Sequence, residues 1–353
     1  MVTVPPDQSI RRVLDPHGNL VPGSQPPAIP DDDLVRMLEV MLLVRAIDDR
    51  MTRLHREGRL GFYVAAHGQE ACQLAVYPLR ATDWVFPSLR DHGAWFWRGH
   101  SLDDYIHQLF GDERDPLRGR QMPAHHSSQA QRMVSISSPV GTQLPQATGA
   151  AHAARLSGRD DVVMAFFGER TAASGDFHVG LNFAGVFKAP VVFLCRADVQ
   201  HPRSGMLLAR ARAYGVPGVR VDGHDLLAVI QVASEAVDRA RAGHGATLIE
   251  AVTGGEEPLP DPSASASDSD SESGHPGHPG EADSLDRFRR YLATRSLWSP
   301  AMEQDIVTRH RAAIERIASD GQSLGPPPTE SLFDDVYERL PWNLVEQRAS
   351  LDR

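Results

Sequence analysis

Two unbroken apolar runs dominate the hydrophobic pattern of this chain. Val162-Val163-Met164-Ala165-Phe166-Phe167 and Val191-Val192-Phe193-Leu194-Cys195 each have strand length and contain no alternating polar position. A strand with one wet face alternates, whereas a strand covered on both faces reads as continuously apolar. The two runs therefore predict buried neighbouring strands of a parallel sheet. They are joined by a tight glycine turn and a helix of about four turns. Strand–helix–strand units place their ligands outside the carboxyl ends of the strands. Polar residues stand at both ends here: Gly168-Glu169-Arg170 after the first run and Arg196-Ala197-Asp198 after the second.

The rest of the pattern extends this picture. Residues 1–30 are Pro-rich and predict an extended arm with a hairpin at Asp15-Pro16-His17-Gly18. Asp31, Asp32 and Asp33 open a helix whose apolar face is Leu34, Met37, Leu38, Met41 and Leu42. Helices are expected at 67–79, 101–110 and 143–156, and strands at 219–223 and 247–252, with a helix reaching about residue 241 between them. Residues 254–283 are Pro, Gly, Ser and acidic, with almost nothing apolar to bury, so disorder and tolerance of deletion are expected there. Helices resume at 284–294 and 300–319, and Pro326-Pro327-Pro328 marks a break. The expectation is an α/β domain over 31–253, a mostly parallel sheet with helices on both faces, followed by a helical C-terminal segment, 284–353.

Composition narrows the function classes. The chain has 353 residues, enough for one large α/β domain, and 41% are apolar, enough to build a core. A formal charge of −10 argues against general nucleic-acid binding. Two cysteines cannot form a disulfide framework, and a cytoplasmic setting is expected. No segment reads as a transmembrane helix, and the N-terminal residues lack the apolar core of a secretory signal.

Longer words in the sequence carry a resemblance. GDFHVGLNFAGVFKAPVVF, RGRQMP, SSPVGTQLPQATGAAHAARL and SLFDDVYERLPW are similar to the alpha subunit of the decarboxylating component of 2-oxoacid dehydrogenase complexes, of the branched-chain and pyruvate types. The resemblance covers about residues 10–253 and 284–350. It implies a thiamine-diphosphate-binding fold and oxidative decarboxylation of a small 2-oxoacid, such as 3-methyl-2-oxobutanoate or pyruvate, with acyl transfer to a lipoyl group. It also implies a heterotetramer with a beta-type subunit, the cofactor lying between the chains, and a lipoyl acyltransferase as further partner.

The same resemblance assigns residues. The family's metal–diphosphate motif, Gly-Asp-Gly with Asn-Asn at the next strand end, falls on Gly168, Glu169, Arg170, Ala197 and Asp198. Magnesium ligands would be Glu169, Asp198 and the carbonyl of Gln200. Arg90 and Arg196 would hold the diphosphate, and Ser138 and Val140 would support the thiazolium and pyrimidine. Ser137, Pro139, Thr142 and Gln143 match a potassium site. Three departures accompany these matches. Arg170 replaces a glycine, Leu89 replaces a phosphate-reaching tyrosine, and the histidine-bearing family loop is missing after Thr253. His275 and His278 lie in that region but do not match the loop, so no catalytic residue is assigned.

Each assignment has a plainer alternative. Glu169 and Asp198 either ligate magnesium or pair with Arg170 and Arg196. Arg170 would fill the diphosphate space and join the carboxylates as a surrogate cation. Cys72 and Cys195 read as buried apolar filler. His125 and His126 are adjacent, point different ways and lack a third metal ligand. Phe62 and Tyr63 line a substrate pocket or belong to the core. Two functions follow: a working alpha-type subunit with a degenerate cofactor site, or an inactive paralogue acting as structural or regulatory partner of a beta-type chain.

Overall fold

The computed structural model describes residues 9–198, 206–253 and 283–351. Its centre is a five-stranded, all-parallel sheet of β1 (Trp84–Phe86), β2 (Val163–Gly168), β3 (Val191–Asp198), β4 (Gly218–Asp222) and β5 (Thr247–Thr253), in the order β1-β2-β3-β5-β4. The two apolar runs are adjacent and parallel, with Val163 opposite Val191 and Gly168 opposite Arg196.

Eleven α-helices are described around the sheet: α1 (Asp31–Arg56), α2 (Glu70–Gln73), α3 (His92–Trp97), α4 (Leu102–Phe110), α5 (Gln143–Leu156), α6 (Gly175–Phe187), α7 (Met206–Ala213), α8 (Leu226–Arg239), α9 (Ser284–Thr294), α10 (Pro300–Ser323) and α11 (Trp342–Leu351). Strand alternation splits the buried side chains between two cores. Met164, Phe166, Val192, Leu194 and Ile249 point toward α1, α3, α8, α9 and α10. Val163, Ala165, Phe167, Val191, Phe193 and Cys195 point toward α5, α6 and α7. Cys195 is thus the expected filler, and Cys72 is buried in the other core with its thiol donating to the Gly223 carbonyl at 3.2 Å.

The sheet edge at β4 is covered by the N-terminal arm. Arg11 exchanges backbone hydrogen bonds with Arg220 and Asp222, and one Asp225 oxygen accepts from the amides of Val13 and Leu14 at 2.6 Å each. Pairing satisfies backbone groups that an open edge would expose. The hairpin expected at Asp15 forms, with Asp15 N donating to Asn19 O at 2.8 Å.

Several expectations require correction. Strand β1 is only three residues long, between Asp83 and Pro87, and has no alternation to reveal it. The helix expected at 67–79 is four residues of α2 followed by a 3-10 turn, Leu74–Val76, because buried Gln69, Glu70 and Gln73 break any apolar stripe. Helices α3 and α7 carry mixed faces and were not anticipated. The expected helical C-terminal segment forms and packs on the α/β unit: Leu285, Phe288, Ile306, Ile314 and Ile317 join the core of α1. The low-complexity segment lies outside the described residues, apart from Asp283. Among the described residues, no helix is long and apolar enough to cross a membrane.

Candidate cofactor site

The carboxyl ends of β1, β2 and β3 bring Arg90, Glu169 and Arg196 to one edge of the sheet. Pro87 ends β1, and the loop that follows delivers Arg90 just before α3. Arg90 is 7% exposed, and its Nη1 donates to the carbonyl of Ala65. Arg196 is 2% exposed; it pairs with Asp91 through Nη1 and donates to Ser88 Oγ through Nη2 at 2.7 Å. Asp91 is itself held by the Ser88 amide at 2.6 Å and hydroxyl at 2.8 Å. A buried guanidinium needs such a counter-ion. Sequence reading missed Asp91 and Ser88, since the Arg196–Asp91 pair spans 105 positions.

After β2 the chain does not make a bare glycine turn. Glu169–Ala173 form a 3-10 turn that leads to α6, whose first turn is capped by Ser174 accepting from the Phe177 amide at 3.2 Å. Three residues per turn rotate successive side chains by about 120°. Glu169 is consequently half-buried while Arg170 is exposed. The Asp198 side chain and Gln200 lie outside the described residues. Leu89 is partly buried and packs against the main core.

The loop before α5 gathers neutral oxygens. Thr142 Oγ1 donates within a group formed by Ser137 Oγ at 2.9 Å and the Pro139 carbonyl at 3.2 Å. Gln143 Nε2 donates to the Phe166 carbonyl of β2 at 3.0 Å. Gly141 has φ +96°, and a Cβ there would lie 2.6 Å from Ser174 Oγ, so only glycine fits this turn. Val140 is exposed.

His125 and His126 part company as expected. His125 Nδ1 donates to the Pro123 carbonyl at 2.9 Å, so its Nε2 accepts from Ser138 Oγ at 2.6 Å. His125 therefore orients one of the assigned site hydroxyls, a role the sequence did not reveal. His126 is buried, stacked on Tyr105 at 3.9 Å, and burial holds its pKa well below the usual imidazole range. Tyr63 is core, its hydroxyl donating to Asp48 at 2.6 Å, while Phe62 is half-buried near the His125 ring.

The described donor set fits a metal-bound diphosphate. Two buried guanidinia and a carboxylate stand at neighbouring strand ends, and one guanidinium carries a protein counter-ion that limits its net charge.

The parallel sheet with its charged carboxyl edge places the molecule among α/β proteins that bind ligands at strand ends. The chain belongs to the Dehydrogenase E1 component family, whose model matches residues 38–328. It is 33% identical to the mouse (Mus musculus) mitochondrial 2-oxoisovalerate dehydrogenase subunit alpha, over 98% of this chain and 80% of that protein. It is 35% identical to the Staphylococcus aureus pyruvate dehydrogenase E1 component subunit alpha, over 95% of this chain and 90% of that protein. An Arabidopsis thaliana 2-oxoisovalerate dehydrogenase subunit alpha is 33% identical over 96% of this chain.

Proposed function

We propose that this chain is the alpha-type subunit of a 2-oxoacid dehydrogenase and supplies the diphosphate side of a thiamine-diphosphate site. The observation that carries the reading is the convergence of Arg90, Arg196 and Glu169 at the ends of β1, β2 and β3. Arg90 and Arg196 would hold diphosphate oxygens, and Glu169 would ligate a magnesium ion together with Asp198. With Asp91 also present, a divalent ion offsets carboxylates that would otherwise repel the diphosphate. Ser138, oriented by His125, and Val140 would face the rings. Ser137, Pro139 and Thr142 offer neutral oxygens suited to potassium. When bound, thiamine diphosphate supplies the carbon nucleophile and electron sink that decarboxylation of a 2-oxoacid requires.

A beta-type subunit belongs to the same proposal, with a lipoyl acyltransferase as acyl acceptor and a cytoplasmic setting. The outward face of α6 supports a partner chain: Val179, Phe183, Val186 and Phe187 are exposed on a helix whose other face is already buried. An inactive, structural role is the second reading, favoured by Leu89, which cannot donate a hydrogen bond to a phosphate, and by the Asp91 partner that Arg196 already has. Calorimetric titration of the assembled alpha and beta chains with thiamine diphosphate and magnesium separates the two. Saturable, magnesium-dependent binding that Arg90→Gln measurably weakens supports the enzyme; absence of binding supports the structural partner.

A further inference from the structure

Residues 63–66 cross the interior beside the site without belonging to a helix or strand. Tyr63, Val64 and Ala66 are buried, so their backbone polar groups need partners. Every partner recorded for them beyond the local Gln69 amide is a side chain. The Val64 carbonyl accepts from His92 Nε2 at 3.0 Å, and the Ala65 carbonyl accepts from Arg90. The Ala66 amide donates to Asp48 Oδ2 at 3.0 Å, and the Tyr63 hydroxyl donates to Asp48 Oδ1 at 2.6 Å. A carbonyl can only accept, so His92 carries its proton on Nε2 and receives the Tyr105 hydroxyl at Nδ1. Asp48 sits on α1, fully enclosed, and holds both ends of the segment.

We propose that Asp48 is a positioning residue for the cofactor site, acting through residues 63–66 on the guanidinium of Arg90. The Arg90 side chain is aimed by the Ala65 carbonyl, and that carbonyl is placed by the Ala66 amide bonded to Asp48. Replacing one acceptor oxygen frees one end of the segment and lets the carbonyl, and the guanidinium hung on it, turn. The inference rests on the assignment of Arg90 to the diphosphate made above, and it has a consequence that does not depend on that assignment.

The test uses the assembled alpha and beta chains, with Asp48→Asn, Tyr63→Phe, Arg90→Gln and the double variant Asp48→Asn/Arg90→Gln. Amide exchange of the peptide covering 60–67, without cofactor, is expected to quicken in Asp48→Asn and in Tyr63→Phe. Thiamine diphosphate affinity with magnesium is expected to fall about tenfold in Asp48→Asn and about threefold in Tyr63→Phe. The double variant should bind no more weakly than Arg90→Gln alone, because Asp48 works through Arg90. A merely structural role would lower the thermal midpoint yet give additive losses in the double variant. Unchanged exchange at 60–67, or additive losses, overturns the proposal. If the unsubstituted assembly binds no thiamine diphosphate, the functional reading falls, and the exchange experiment then decides the role of Asp48 alone.

Discussion

Asp48 and His92 lie 3.8 Å apart in the interior, and burial drives each toward its neutral form from opposite sides. Burial raises the Asp48 carboxyl from 3.8 to about 7, against the opposing hydrogen bonds from Tyr63 and Ala66. Burial lowers the His92 imidazole from 6.5 to about 4. Asp48 therefore contributes stability below pH 4 that is lost as pH rises toward 7. His92 contributes stability above pH 6.5 that is lost as pH falls toward 4. Between pH 4 and 6.5 the two slopes, each at most about 1.4 kcal/mol per pH unit, oppose one another. Asp48→Asn removes one of them, so its urea midpoint is expected to fall more steeply on acidification than that of the unsubstituted chain. Parallel midpoint-against-pH curves for the two proteins would contradict this. At the site edge, Glu169→Gln is expected to weaken magnesium-dependent thiamine diphosphate binding by about tenfold or more. Arg170→Gly is expected to leave it within about threefold, because the Arg170 side chain is exposed. Calorimetry on the assembled chains checks both.

At the scale of elements, helices α5 and α6 are close-packed through glycine, and their glycines are not equivalent. A Cβ on Gly180 would stand 3.0 Å from Leu144, and one on Gly185 would collide with the Tyr214 carbonyl, whereas one on Gly149 would meet open space. Alanine in a helix interior is ordinarily favoured over glycine by roughly 0.5–1 kcal/mol. Gly149→Ala is thus expected to stabilise by about that amount, while Gly185→Ala is expected to cost about 1–3 kcal/mol through overpacking. Denaturant titration of the two variants should give shifts of opposite sign. The elements readable in the sequence were those with one dominant period. Strands β2 and β3 are continuous apolar runs, α1 carries a clear apolar face, α9 a capped start, and α5 is rich in alanine and glycine. Strand β1 is three residues long, α3 is mostly buried, and α7 spreads Arg210 and Arg212 among its apolar positions, so each defeats a periodicity test. The strand-end positions of Arg90, Glu169 and Arg196 were legible in local words. The site was not legible where the fold supplies a partner, as Asp91 does for Arg196, His125 for Ser138 and Asp48 for residues 63–66.

For the whole molecule, the two sides of the sheet are finished differently. On one side α1, α8, α9 and α10 enclose a large core. On the other, α5, α6 and α7 cover the strands, yet the outer face of α6 remains apolar. Phe183 is 45% exposed and Val186 67%, with Phe187 and Leu156 nearby in sequence or on the paired helix α5. A surface helix normally turns polar residues outward, and one that is apolar all round belongs in an interior. Contiguous exposed apolar surface of this kind marks an interaction face rather than a solvated one. The proposed assembly with beta-type chains therefore gives α6 a second layer to pack against. Phe183→Glu places a charge in that face while leaving the strand-facing residues Phe177, Leu181 and Ala184 untouched. The variant is expected to keep the circular-dichroism spectrum of the fold but to fail to form the heteromeric complex in light scattering. It should also lose thiamine diphosphate binding, because the rings would have no partner chain beside Ser138 and Val140. A variant that still assembles at the same concentration as the unsubstituted chain would show that the α6 face is not an interface.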